Sequence, residues 1–408
     1  MSNIIKPKLW IVSELFYPDQ TSTSYILSKI ADKMVNKYDV TVITDSALYQ
    51  DNKTFSKSYF EISNDIKIIK IASKKRDKNN LLQRTTKVIF LSLKMSWFLW
   101  KRIFRGEKVL IVTNPAPLLI LLSLIKKLKK INLTILVHDV FPENTIPAGI
   151  IKSPNSFFYK VISTVFNKAY SEADCLIVLG KDMKEVVKKK IKNHNKTRIE
   201  IIENWADTQN ITPSVIKPLL LEERCSKDII TIQYAGNIGR AQGIENFLEL
   251  FYQSSNKKLH FDLWGNGALK DKLSQRVNFL QLQKRVSFYG NYSRDQQNEI
   301  LNTANIALIT LAEGMYGLGV PSKTYNILAA GIPILFIGDL NSEIALLIKE
   351  KKIGHCFSNN DERGIVEFLD SLNSFSLNKF EEMGKIARNL AESKYSEDII
   401  LSKFMKVL

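Results

Sequence analysis

Short apolar runs alternate along this chain with stretches of helical period, and the whole pattern is written twice. In the first half the runs predict a strand ending at Ser13, then strands over 39–44, 66–71, 109–112, 134–137 and 175–179, with a helix over about 24–35. In the second half they predict strands over 229–234, 260–264, 286–289, 306–310 and 332–337 with helical stretches between. Such alternation builds a parallel sheet covered by helices. The expected fold class is therefore α/β, with two Rossmann-like doubly wound domains facing a central cleft at the carboxyl ends of their strands. The boundary is placed at Ile202-Glu203-Asn204-Trp205-Ala206-Asp207, because polar sequence bearing Pro213 and Pro218 follows. This gives domains over 1–205 and 206–390, with a last helical region over about 391–408.

Three segments at predicted strand ends carry candidate chemistry. In Val320-Pro321-Ser322-Lys323-Thr324-Tyr325-Asn326, Pro321 sits where a helix can begin and Lys323 falls in its first turn. Positive charge there is disfavoured by the helix dipole unless an anion is present. Free N–H groups with a lysine make a phosphate site; the alternative is a helix start with a solvated lysine. Gly331 ends that helix. The second segment, Tyr234-Ala235-Gly236-Asn237-Ile238-Gly239-Arg240-Ala241-Gln242-Gly243, joins a strand to a helix. Its glycines permit close backbone approach, and Arg240 can neutralise a diphosphate through paired hydrogen bonds. The third, Val137-His138-Asp139-Val140-Phe141-Pro142-Glu143, puts polar groups at the end of a first-domain strand. A lone histidine at such a place more often satisfies a loop carbonyl.

Together, in their order along nearly the whole chain, these segments resemble glycosyltransferase family 4, retaining enzymes of GT-B fold found in bacterial surface-polysaccharide (O-antigen and capsule) assembly. The resemblance implies a nucleotide-sugar donor, UDP- or GDP-linked, held by Gly236, Asn237, Arg240, Gly265, Pro321, Ser322, Lys323 and Asn326. It places His138 and Asp139 at the acceptor hydroxyl and reacting carbon, with Glu143 as a positioning residue of the same catalytic segment, and no metal or other cofactor. Gly265, in Trp264-Gly265-Asn266-Gly267, matches the family's Gly-x-Gly turn. In GT-B enzymes the final helix commonly returns to the first domain. The chain also departs from the pattern. Leu318 and Asn326 stand where many members carry two glutamates, Gln242 where a lysine is frequent, and Thr21-Ser22-Thr23 where the first-domain loop has Gly-Gly. Ser22 or Thr23 is an equally good helix cap. Glu313 is a further candidate for the donor sugar.

Charge adds a partner. Of the net +17, residues 1–200 hold 35 Lys and Arg against 17 Asp and Glu. A basic half can face nucleic acid, an anionic membrane or a phosphorylated substrate, and no nucleic-acid-binding motif is present. The run 88–100, flanked by Arg84, Lys87, Lys101, Arg102 and Arg105, is too short to span a bilayer and is interrupted by Lys94. It reads either as an interfacial helix on an anionic membrane or as a buried helix with a basic end. The stretch 117–125 reads as a core helix. The opening residues lack a signal peptide's apolar core, and three scattered cysteines do not form a metal pattern. The expected location is therefore cytoplasmic, peripheral on the inner face of the membrane, with a lipid-linked saccharide as acceptor. Two other readings remain at this stage: a nucleotide-sugar epimerase of the same architecture, and a non-catalytic nucleotide-sugar-binding subunit.

Overall fold

The computed structural model describes residues 6–19, 21–46, 60–73, 81–192, 196–214 and 219–408, the side chains of 81–84 excepted. Residues 1–5, Pro218 and the Arg84 side chain, used above, lie outside the described residues. The chain forms two compact units: 1–144, 153–203 and 401–408 make the first, 145–152 and 204–400 the second.

The first unit holds a seven-stranded sheet of β1 (Lys8–Val12), β2 (Asp39–Asp45), β3 (Lys67–Ile71), β4 (Lys108–Val112), β5 (Asn132–Val137), β6 (Cys175–Val178) and β7 (Arg198–Ile201). Their spatial order is β3-β2-β1-β4-β5-β6-β7, and every pairing is parallel. Strands covered on both faces need apolar side chains in both directions, and β1, β4 and β6 are buried along nearly their whole length. The first helix, Ser22–Met34, is capped by Thr21, whose hydroxyl accepts from the Ser24 N–H; Ser22 and Thr23 lie inside the helix. Residues 401–408 close this unit: Lys403 pairs with Glu203 at 2.6 Å, and Tyr38 Oη donates to the Leu408 carbonyl at 2.5 Å.

The second unit holds six parallel strands, β8 (Ile230–Ala235), β9 (Leu259–Trp264), β10 (Val286–Phe288), β11 (Ile306–Thr310), β12 (Ile334–Ile337) and β13 (Gly354–Phe357), in the order β10-β9-β8-β11-β12-β13. Phe247 and Phe251, on the helix Ile244–Gln253 that follows β8, pack on Phe261 of β9, with the Phe247 and Phe261 rings edge-to-face at 4.9 Å. Each fully buried phenylalanine contributes about 1.5–3 kcal/mol relative to exposure. This α/β fold of two doubly wound Rossmann-like sheets is the one expected from the sequence. Two edge strands, β7 and β13, are additional to the expected set.

Candidate functional site

In a doubly wound sheet the loops after the central strands carry ligands, and β8 lies centrally, flanked by β9 and β11. The chain leaves β8 at Gly236, where φ is +144°, and makes a one-turn 3-10 helix at Arg240–Gln242 before Gly243 opens the helix 244–253 with φ +68°. Lys323, the first residue of the helix Lys323–Ala329 after β11, reaches back to this loop. Its Nζ lies 3.5 Å from the centroid of the Tyr234 ring, and a Cβ placed on Gly236 would meet it at 2.9 Å. The glycine is thus required both by its backbone angle and by the ammonium beside it.

This ammonium is buried and has no hydrogen-bond partner among the described residues. Burial alone pulls the Lys323 pKa down to about 7. The ring face of Tyr234 supplies some attraction, but a buried cation without a counter-charge is held at a cost in stability. Arg240 is exposed and makes no ion pair among the described residues. Two basic groups without carboxylate partners therefore serve one glycine loop.

The remaining second-unit candidates divide by what they touch. A Cβ on Gly265, whose φ is +121°, would lie 2.1 Å from the Gly236 carbonyl oxygen, so Gly265 lets the loops after β8 and β9 close on each other. Beside it Trp264 stacks on Tyr289 at 4.0 Å, a flat aromatic wall. Asn237 is exposed, and its carbonyl accepts from Tyr234 Oη at 2.6 Å. Pro321 and Ser322 precede the Lys323 helix, and the Thr324 N–H donates to the Pro321 carbonyl at 3.1 Å. Asn326 is engaged at both ends: Oδ1 accepts from the Asp207 N–H at 3.1 Å and Nδ2 donates to Gln297 at 3.1 Å. A second lone pair on Oδ1 and the second Nδ2 hydrogen are left for a ligand. Leu318 is buried, so no acidic group replaces the first absent glutamate there. Glu313 is exposed one residue beyond Ala312, whose N–H donates to Ala241 in the Arg240 turn.

In the first unit the candidate residues follow β5. The Thr113 hydroxyl, just past β4, accepts from both the His138 and the Asp139 N–H at 3.1 Å, which fixes the backbone where these side chains leave the sheet. His138 Nε2 is buried without a partner among the described residues, and burial lowers its pKa to about 4. The ring is therefore neutral near pH 7. Burial raises Asp139 to about 6, leaving it mostly ionised there. Glu143 is held differently. One oxygen pairs with the buried Lys190 at 2.5 Å, and the other is buried with no partner among the described residues. Burial depresses the Lys190 pKa while the carboxylate opposes the shift.

Comparison with known proteins bears on both units. Residues 223–390 match the family model described as glycosyl transferases group 1. Over 401 residues the chain is 34% identical to the probable glycosyltransferase WbjE of Pseudomonas aeruginosa, covering 97% of this chain and 96% of that one. The chain belongs to the group 1 glycosyltransferases. Among solved structures, HepE of Anabaena in complex with UDP superposes with TM-score 0.70 at 13% identity, over 98% of this chain and 99% of that chain. WaaG, a glycosyltransferase involved in lipopolysaccharide biosynthesis, gives TM-score 0.69 at 13% identity, again over 98% and 99%. These likenesses establish the GT-B fold.

Within the second unit of this glycosyltransferase, Arg388 is a positioning residue that the sequence did not signal. On the helix Ser374–Lys394, its Nη1 donates to the carbonyls of Ala329 at 2.7 Å and Ile211 at 2.6 Å, and Nη2 to Thr208 at 3.0 Å. It thereby joins the carboxyl end of the Lys323 helix to the segment after Asp207. Close by, a Cβ on Gly384 would lie 2.0 Å from the carbonyl oxygen of Gly331, in the turn that ends the Lys323 helix, so that turn packs on the helix Ser374–Lys394 through glycines. Arg388→Ala leaves three carbonyls to find other donors and is expected to destabilise the protein by about 2–4 kcal/mol. Thermal denaturation measures this, and an unchanged midpoint would show that solvent replaces the guanidinium.

Proposed function

We propose that this chain transfers a sugar from a nucleoside-diphosphate donor to a lipid-linked glycan acceptor in bacterial surface-polysaccharide assembly, with retention of anomeric configuration. The observation that carries the reading is the buried Lys323 ammonium, without a counter-anion among the described residues, against Gly236 and the Tyr234 ring. A diphosphate supplies the missing negative charge, and Arg240 on the same loop supplies a second, forked donor. As the sugar–phosphate bond breaks, both cations stabilise the charge developing on the departing diphosphate. The residues assigned to the donor are Gly236, Asn237, Arg240, Gly265, Pro321, Ser322, Lys323 and Asn326. Gly265 acts through the Gly236 backbone, and Asn326 mainly by tying the Lys323 helix to Asp207.

On the acceptor side, neutral His138 hydrogen-bonds the attacking hydroxyl and Asp139 faces the positive charge that builds on the sugar carbon. Glu143, bound to Lys190, positions this segment. The acceptor oxygen bonds to the carbon on the face the diphosphate leaves, and its proton passes to the departing phosphate oxygen. No residue-borne base and no metal is invoked. The acceptor is carried on an isoprenoid diphosphate at the cytoplasmic side of an anionic membrane. Exposed Phe90 and Trp97 on the helix Leu81–Trp100 support that location, and no helix among the described residues is long and apolar enough to cross a membrane.

A donor screen tests the reading. Purified protein is given UDP- and GDP-sugars with and without lipid extract, and nucleoside-diphosphate release is followed. UDP-glucose comes first, because HepE of the same fold has been solved with it. The expected outcome is acceptor-dependent release with one donor. Interconversion of free nucleotide sugars without lipid would make the protein an epimerase, and tight binding without turnover across an adequate acceptor panel would make it a binding subunit.

A further inference from the structure

Three helices of the first unit, Leu81–Trp100, Pro117–Lys129 and Phe157–Glu172, connect β3 to β4, β4 to β5 and β5 to β6. Each connection steps in the same direction across the sheet order, so right-handed crossovers put all three helices on one face of the sheet. They pack against one another in that sequence and form one layer. Their inner sides are ordinary core, with Met95, Leu122 and Tyr170 fully buried.

The outer side is apolar as well. Phe90 and Trp97 on the first helix are 58% and 61% exposed, Leu128 on the second 71%, and Phe157 and Phe158 on the third 84% and 65%. Val161 and Val165 continue the third helix's exposed side at helical spacing. A single exposed leucine needs no explanation, but large apolar side chains exposed on three consecutive helices of one layer, aromatic on the first and third and leucine on the second, mark an interaction surface.

Charge selects the occupant. From 85 to 172 the chain carries 13 Lys and Arg against four acidic residues, Glu107, Asp139, Glu143 and Glu172. Of these only Glu172, the last residue of the third helix, belongs to these helices, and it pairs with Lys127 at 2.9 Å and Lys196 at 3.3 Å. Glu107 accepts from Trp10 Nε1 and the Phe104 N–H, Glu143 binds Lys190, and Asp139 follows β5. Several cations sit beside the rings, with Lys101 Nζ 4.7 Å from the centroid of Trp97 and Lys129 Nζ 4.7 Å from that of Trp100. Pairing this face with itself in a second copy would oppose like charges. An anionic phospholipid surface instead meets the cations with headgroups and the aromatic tips with the interfacial region.

We propose that the whole outer layer, including the Phe157–Phe158 step and not just the helix Leu81–Trp100, docks the protein on an anionic bilayer. This deepens the membrane location proposed above. It is tested without donor or acceptor, so transfer and docking can fail separately.

The full-length protein is co-sedimented with vesicles of phosphatidylcholine alone or with added phosphatidylglycerol. Binding is expected only with phosphatidylglycerol and should weaken as salt is raised. The double variant F157S/F158S and the single variant W97S are each expected to weaken it about tenfold or more. The surface charge reversals K160E/K168E, which disturb no core residue, are expected to weaken it too and keep the test decisive if the phenylalanine variant unfolds. Failure of the wild-type protein to bind, or binding untouched by F157S/F158S and K160E/K168E while W97S abolishes it, would overturn the three-helix surface. A stable dimer in light scattering that F157S/F158S dissociates would overturn it in favour of self-association.

Discussion

Replacing Lys323 by methionine is expected to cut kcat/KM by on the order of 100- to 1000-fold while making the folded protein more stable at neutral pH. The two effects have one cause. The ammonium is buried beside Tyr234 and Gly236 with no hydrogen-bond partner among the described residues. Methionine nearly preserves the volume and removes the charge, so the folded chain is relieved of a cation worth a few kcal/mol of strain. The donor, however, loses the group that meets its diphosphate. A lysine present only for packing would lose stability on substitution and leave turnover nearly intact. Equilibrium unfolding and steady-state kinetics on the same preparations separate these cases, and unchanged kcat/KM would remove Lys323 from the donor site.

The pH dependence of the same residue follows with its sign. Lys323 titrates near 7 in the folded chain against an ordinary lysine value of 10.5. Between those values the unfolded chain binds more protons than the folded one, so this group makes folding more favourable as pH rises and leaves stability at its lower plateau below about 7. Nucleotide binding has the opposite trend. A diphosphate favours the charged lysine, so binding takes up a proton above pH 7 and its affinity falls as pH rises until the lysine of the complex itself deprotonates. Both slopes should be flatter in the methionine variant.

The sequence made the interior of each sheet legible because buried parallel strands are uninterrupted apolar runs, as at Val109 to Val112 and Ile306 to Thr310. It did not disclose β7 or β13. Arg198-Ile199-Glu200-Ile201 and Gly354-His355-Cys356-Phe357 are four-residue edge strands whose polar members imitate loop. The lysine and the glycine loop were each visible as a local pattern, but their meeting depends on β8 and β11 being neighbours. Thr113 and Arg388 work through backbone atoms, which leave no mark in sequence. Arg388 also forms an ordinary i,i+4 pair with Glu392, and that relation is all its helix pattern reveals. Asn326 occupied a recognisable position, yet its partners Asp207 and Gln297 came from distant segments. The apolar run at 88–100 was legible as a run only. Which of its residues face outward was decided by packing against the sheet and the neighbouring helix.

Gly265→Ala should cost about 3–5 kcal/mol and lower the melting midpoint by roughly 10 °C, whereas Gly290→Ala should stay within about 0.5 kcal/mol of the parent. The two glycines are hydrogen-bonded neighbours, with the Gly265 N–H donating to the Gly290 carbonyl at 3.1 Å. Around a Cβ on Gly290 nothing lies within 4 Å. At Gly265 φ is +121°, and the added carbon would sit 2.1 Å from the Gly236 oxygen and 3.0 Å from its carbonyl carbon. Backbone cannot turn aside as a flexible side chain can, so the loop after β8 must move. That loop bears Arg240, and its Gly236 lies against Lys323, so the same substitution should weaken nucleotide binding beyond what global unfolding explains. Differential scanning calorimetry with nucleotide titration at a temperature where both variants remain folded measures the two effects. Equal behaviour of the variants would mean that the contact between Gly265 and Gly236 is looser than their geometry requires, and would detach Gly265 from the donor site.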